Sequence, residues 1–516
     1  MNLNASILSC LLFCPIIGAI LVALLPRRVA REGAVVVALI NFVLSLHLVA
    51  HWGEAASSIG GRDFHFQEIA SWLPSLGITY HLGVDGLSVL LVLLTAFLTP
   101  LVLIASWHSI TTRVKEYFVS LLLLEAAIIG VFCALDVILF YVFYEAVLIP
   151  AYVLVGIWGG ADRARAAIKF FIYTMAGSVL MWVGLLVLYA SQSGNRSFDY
   201  EPMRQAALAL GSTPYAAFAP WIFAAFVIAF AIKAPVFPLH TWLTDTYVQA
   251  PTGATVIIAA LLSKMGIYGM MRFVLPFFPD LSRAAAPIMI GLAIVGIIYG
   301  SLIAIRQTEI KRLLAYSSLA HISLIVLGVW AAAIAPKLGD VAMSGAALQM
   351  ANHGLSTGAL FLLAGILLER RGTTEISSFG GVANPMPRFT VLFWIALFAS
   401  IGLPGLNGFV GEYLILQGAM DAGFVYAALG ATGVILGAIY MLKMFRDVMY
   451  GEAPESLRAL PDVSRRETFV LAAVLAVIVW IGVAPQRFLD IVNPSAKIET
   501  AQLENNAQFA FKSTPE

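Results

Sequence analysis

The stretch AFAIKAPVFPLHTWL (residues 229–243) sets a lysine and two prolines inside an otherwise apolar run. A charged Lys233 in hydrocarbon costs at least ~2.5–3.5 kcal/mol, so its side chain is expected to face protein or water. Pro235 and Pro238 lack amide hydrogens and leave the carbonyls of Ala231 and Ala234 without their helical donors. The helix must therefore break just after Lys233. Unpaired backbone at membrane depth is tolerated only against protein or water, which predicts that this segment lines a cavity.

The rest of the chain has the composition of a membrane protein. Of 516 residues, 60% are hydrophobic and only 11% charged, and the mean hydropathy is +0.91. A soluble domain carries roughly 25% charged residues, so an ordinary soluble enzyme is excluded. Thirty Lys and Arg balance 29 Asp and Glu, which gives no sign of a nucleic-acid partner. Cys10, Cys14 and Cys133 lie in apolar runs without metal-ligand or redox spacing and read as small buried hydrophobes. No nucleotide-binding fingerprint or nucleophile elbow has its strand-turn-helix context. The first apolar run has no basic residue before it and two arginines after it, so it reads as a retained span.

Runs long enough to cross a bilayer, about 20 residues each, occur near 5–25, 33–52, 83–106, 116–134, 137–158, 166–191, 218–249, 253–275, 286–306, 310–333, 341–368, 389–421, 425–449 and 467–486. They predict an all-α membrane protein, a polytopic bundle of about fourteen transmembrane helices. The runs do not alternate as barrel strands do. The longest loop, about residues 53–82, is too short for a soluble catalytic domain, so chemistry must take place within the bundle. Nineteen Lys and Arg collect on one side of this topology and nine on the other; Lys233 and Lys264 lie within runs. The basic side is expected to be cytoplasmic, placing both termini on the opposite, periplasmic side of a bacterial inner membrane.

The twelfth run is interrupted by IGLPGLNG (401–408), and Glu412 follows four residues on. Taking 116–275 and 286–449 as five-span units, both broken helices fall fourth in their set. An odd number of spans inverts the second copy, and matched broken helices in inverted repeats point to an ion site near the midplane. The expected organisation is residues 1–115 with three helices, two inverted five-helix repeats at 116–275 and 286–449, and a last helix and tail over 450–516.

Further ionisable groups lie where lipid is expected. Lys264 stands about ten residues from either end of its run, ~15 Å from each surface at 1.5 Å per residue. Exclusion of water penalises its ammonium form and makes it a candidate for reversible protonation, with a structural ion pair to a carboxylate as the alternative. Glu145, eight residues into the fifth run, is the expected partner of Lys233. His321 and His353 occupy the tenth and eleventh spans, and imidazole suits proton exchange near neutral pH. With Glu145, Lys233, Lys264 and Glu412 they form a spaced series with the composition of a proton relay. Ser317, Ser318, Ser323, Ser356 and Thr357 can hold bridging waters or serve as polar helix contacts. Glu125 either joins the relay or pairs locally. Asp136, Asp245, Arg272 and Arg306 are expected to anchor span ends at the interface. Asp85 is a candidate cap for the third helix, and His240 either lines the cavity or meets freed carbonyls.

The stretches HLGVDGLS (81–88), YEAVLIPAYVLVGIWGG (144–160), KAPVFPLHTWLTDTYVQAPT (233–252), LLSKMGIYGMMRF (261–273), IKRLLAYSSLAHISLIVLG (310–328), NHGLSTGALFLLAG (352–365) and GLPGLNGFVGEYLIL (402–416) resemble the antiporter-like subunits of proton-pumping NADH:quinone oxidoreductase, respiratory complex I. The resemblance covers nearly all fourteen spans. It implies that Glu145 and Lys233 correspond to the carboxylate–lysine pair of a first half-channel, Lys264 to a central lysine, and His321 and His353 to connecting histidines. Glu412 falls at a terminal ionisable position where sister subunits usually carry lysine. The family's usual WLPDAH turn stands here as Trp242-Leu243-Thr244-Asp245-Thr246-Tyr247, which puts a role for that turn in doubt.

The resemblance further implies a chain without a cofactor of its own, with redox chemistry in a distant arm. Its partners would be other membrane-arm subunits of complex I, the lipid bilayer, protons and internal water. The expected function is proton translocation coupled to quinone reduction elsewhere in the complex. A subunit of a multi-chain sodium/proton antiporter and a passive membrane scaffold are the competing readings.

Overall fold

A computed structural model describes residues 3–53, 56–453 and 455–512. Helices α1 (Ile7–Leu24) and α2 (Ala30–Ala50) precede a three-stranded antiparallel sheet of β1 (Ala56–Ile59), β2 (Arg62–Leu73) and β3 (Ile78–Val84). Then follow α3 (Val89–Ala105), α4 (Val114–Cys133), α5 (Val137–Ala146), α6 (Leu148–Trp158), α7 (Arg163–Ser191), the short α8 (Tyr200–Leu208), α9 (Ala219–Lys233) and α10 (Thr241–Gln249). The second half comprises α11 (Thr252–Phe277), α12 (Pro279–Ile305), α13 (Ile310–Ala332), α14 (Gly339–Arg371), α15 (Pro387–Ser400), α16 (Asn407–Ala422), α17 (Phe424–Met449), α18 (Arg465–Val483) and α19 (Gln486–Lys512). Among the described residues twelve helical segments are long and apolar enough to cross a membrane. The shorter α3 and α15 account for the other two expected runs.

Both expected breaks are present. Helix α9 ends at Lys233. The carbonyl of Ala231, deprived of a donor by Pro235, accepts instead from the Val236 amide at 2.8 Å, and the Trp242 indole donates to Ile232 O at 2.8 Å. Between α15 and α16, Gly402 (φ +76°) and Gly405 (φ +90°) take left-handed conformations that other residues rarely adopt. A third irregularity was not expected. The fifth run divides at Val147, where Pro150 cannot donate to the carbonyl of Ala146, right beside Glu145.

Helices α11 and α14 are buried along nearly their whole length, while α2 and α17 leave most of their surface on the outside of the bundle. The two central helices carry Lys264 and His353, so packing fixes the position of both. In α11, two π-helical turns, Ile258–Leu262 and Met270–Val274, flank the turn that bears Lys264. Such wide turns are rare and frequently occur at functional sites.

One end of the bundle is capped by the sheet, α8 and α19. The loop expected over 53–82 is thus largely sheet, with Arg62 on β2 pairing Glu499 of α19 at 2.9 Å. Arg272 is not an interfacial anchor. It is 1% exposed and ion-paired to Asp85 at 2.6 Å and Glu499 at 3.5 Å. Its nominal position near a span end hid partners supplied by the loop before α3 and by the last helix. Asp85 also caps its turn, accepting from the amides of Leu87 and Ser88. Asp136 caps α5 through the amides of Ile138 and Leu139 and is likewise buried.

Candidate proton-relay site

The six expected residues fall into two groups. In the first, Lys233 is 1% exposed. Its ammonium donates to the Tyr144 carbonyl at 3.0 Å and lies 3.9 Å from the centroid of the Tyr144 ring. A cation over an aromatic face gains up to ~2 kcal/mol when desolvated. No carboxylate oxygen lies within 4.0 Å of it among the described residues, so the expected Glu145–Lys233 contact is not a direct ion pair. Glu145 is part-buried, with Lys233 and Ser178 the polar side chains acting on it. Phe230 and Phe140 pack against the Tyr144 ring and give this group an aromatic wall.

The second group is a hydrogen-bonded series with a single gap, between its two histidines. Lys264 is fully buried. Its ammonium donates to the carbonyl of Ala259 at 2.7 Å, a carbonyl within the first π turn, and meets His353 Nδ1 at 2.6 Å. An ammonium can only donate, so His353 Nδ1 accepts and its proton belongs on Nε2. That nitrogen lies 3.3 Å from Ser318 Oγ and 3.1 Å from Thr357 Oγ1. The His353 and His321 ring centroids are 5.8 Å apart, and His321 Nδ1 is 3.2 Å from Glu412 Oε1. Gln349 donates to that same carboxylate oxygen at 3.3 Å. The alternative of a lysine held by a carboxylate does not describe Lys264, whose side-chain partner is an imidazole.

The twelfth-run break joins this group. A void of about 10 Å³, room for about one water, is lined by His321, Glu412, Ser400, Ile401 and Tyr440. Asn407 and Asn352 lock the break to α14 by reciprocal bonds: each side-chain amide donates to the other residue's carbonyl, at 3.1 and 2.8 Å. Ser356 donates to Asn407 Oδ1 at 3.2 Å.

No hydrogen bond or ion pair joins the two groups among the described residues. Between them α9 packs on α11 at Gly266, where a Cβ would meet Ala234 N at 2.4 Å and Phe230 O at 2.5 Å. Glu125 is paired locally, accepting from Asn41 Nδ2 at 2.8 Å. His240 stacks on Phe237 and meets the Tyr299 ring edge-on, beside the break after Lys233. Asp245 is held by Lys169 at 2.8 Å. Ser323 bonds its own helix at Leu319 O, as a packing serine does, whereas Ser317 meets Tyr440 at 2.9 Å. Tyr144, Gln349, Asn352, Asn407 and Tyr440 were not expected. Gln349, Asn352 and His353 do show a signal in retrospect, three polar residues clustered within an apolar helix.

The family model NADH:quinone oxidoreductase/Mrp antiporter, TM matches residues 134–439, and NADH-ubiquinone oxidoreductase chain 4, amino terminus, matches 64–131. NADH-quinone oxidoreductase subunit M of Rhodobacter capsulatus is 40% identical over 95% of each chain. NADH-ubiquinone oxidoreductase chain 4 of Arabidopsis thaliana is 38% identical, over 95% of this chain and 96% of its own length. A chain of respiratory complex I from Thermus thermophilus superposes with a TM-score of 0.84 at 31% identity, over 96% of this chain and 99% of that one. A chain of the Mrp complex from Dietzia sp. DQ12-45-1b shares the fold, with a TM-score of 0.81 at 20% identity over 98% of this chain and all of the other. The chain belongs to the NADH:quinone oxidoreductase/Mrp antiporter transmembrane family.

Proposed function

We propose that this chain is an antiporter-like, proton-translocating subunit in the membrane arm of an NADH:quinone oxidoreductase, where it associates with other membrane-arm subunits. The observation that carries the reading is the buried Lys264–His353 contact at 2.6 Å, which continues through the two imidazoles to Glu412. An ammonium that donates to a neutral imidazole can hand over its proton along the same bond. His353 then bears the charge and Lys264 becomes a neutral amine able to accept another. His321 and Glu412 receive the proton next, with Ser318, Thr357 and the void beside Tyr440 supplying hydroxyl and water positions.

Glu145 and Lys233 act at the start of this sequence. Lys233, with no carboxylate oxygen within 4.0 Å among the described residues, biases the charge of Lys264 through space rather than by contact. Moving one charge against 100 mV costs about 2.3 kcal/mol, so the driving event is quinone reduction in other subunits. Redox centres are assigned to those subunits and none to this chain. The basic-rich end of the bundle is taken as cytoplasmic in a bacterial inner membrane, with the sheet and α19 on the periplasmic side. The units 116–275 and 286–449 are taken as the inverted repeats.

The test is NADH-driven acidification of inverted vesicles that contain an assembled Lys264→Met complex. Loss of acidification is expected. Normal pumping would overturn the assignment. Sodium-dependent proton uptake without quinone reductase activity would instead favour the sodium/proton antiporter reading.

A further inference from the structure

Tyr440, on α17, borders two cavities. Toward the midplane it lines the water-sized void shared by His321 and Glu412. Toward the basic-rich end it lines a vestibule of about 390 Å³, bounded by Gln307, Thr308, Ser377, Lys443 and Asp447. These come from the loop between α12 and α13, the loop after α14, and the end of α17. The ring is 1% exposed, and its hydroxyl lies 2.9 Å from Ser317 Oγ, one helical turn from His321. His321 Nε2, buried and without a protein partner, is an available ligand for a water in the void. Tyr440 is thus the side chain common to a polar opening at the basic-rich face and the Glu412 end of the relay.

We propose that Tyr440, with Ser317, is a gated proton entrance that connects the cytoplasmic vestibule to the His321–Glu412 pair. This inference rests on the proton-carrying reading above. A hydronium in the vestibule gives a proton to the phenol oxygen as the phenol O–H passes its own proton to Ser317 Oγ, and the serine releases its original proton to a water in the void, which delivers it to Glu412. The tyrosine is unchanged and the net movement is one proton. The ring itself blocks free water, so exchange is limited to that hydroxyl step.

The complex carrying Tyr440→Ala, assembled by native gel and reconstituted in liposomes with a trapped pH dye, tests the gate without NADH. Removing the ring should join the cavities and raise passive proton uptake several-fold. Adding Glu412→Gln should return uptake to the parental rate. An unchanged leak rate in Tyr440→Ala overturns the gate, and a leak that survives Glu412→Gln overturns the connection to Glu412. Tyr440→Phe keeps the plug, so it should stay tight while NADH-driven pumping slows several-fold; unaltered pumping counts against the hydroxyl step. A variant that leaves the ring in place guards against misfolding: Thr308→Cys, labelled with a bulky impermeant maleimide from the vestibule side, should slow pumping, and no effect overturns the entrance. Glu412→Gln alone tests the underlying reading: if it pumps normally, that reading fails, whatever Tyr440→Ala shows.

Discussion

The two groups of buried ionisable residues hold their charges in different ways. Around Lys233 the surroundings are aromatic and backbone: a ring face, one carbonyl, and phenylalanines behind them. Around Lys264 they are imidazole, hydroxyl and amide, each within hydrogen-bond distance of the next save the step between the two rings. A cation over a ring is stabilised in place, and among the described residues no carboxylate or imidazole lies within hydrogen-bond distance to take its proton. A cation on an imidazole faces a ring nitrogen at hydrogen-bond distance that can accept its proton. The first half is therefore suited to hold a charge and exert a field, and the second to move a proton.

Four substitutions test that division. Lys264→Met removes the donor of the hydrogen-bonded half, and pumping per assembled complex should fall about a hundredfold or more, in line with the loss of a positioned acid–base group; vesicle acidification measures it. Glu145→Gln changes charge without changing size, and pumping should fall by about tenfold, the effect of ~1.4 kcal/mol of lost interaction, while native gels show an intact complex. If it instead matches Lys264→Met, the first half moves protons too. Asn407→Ala breaks the reciprocal amide bonds at the second break and should cost about 1–3 kcal/mol, read as earlier thermal loss of the complex. Smallest of all, Tyr144→Phe keeps both the ring and the carbonyl that hold Lys233 and should leave pumping near parental. A large loss there would show that the Tyr144 hydroxyl takes part, which the charge-holding account of this half does not allow.

Much of this was legible in the chain, for identifiable reasons. Pro235, Pro238 and the glycines around Pro404 act on the backbone within a few residues, so both breaks appeared where local chemistry put them. Buried charges in apolar runs are costly enough to announce themselves, and all six expected side chains lie within the bundle. What stayed hidden depends on distance or on subtle geometry. Arg272 resembled an anchor because its partners Asp85 and Glu499 lie 187 positions before and 227 after it. The π turns beside Lys264 leave no mark in a helix buried on every side, since one added residue per turn changes no apolar face. Tyr440 in an apolar run reads as an ordinary aromatic until two cavities meet at its ring. The separation of Lys233 from Glu145 was not visible either, because opposite charges at plausible depth say nothing about reach.

The ion network at the capped end has a consequence for how the chain is made. Arg272 and Arg62 both rely on Glu499, which is synthesised 227 positions after the first and 437 after the second. Until then two guanidinium groups destined for the interior lack one of their counter-ions, and a truncated product keeps that deficit. Synthesis of α19 is thereby written into the stability of the middle of the molecule, giving quality-control proteases a physical basis for telling chains that carry this helix from chains that lack it.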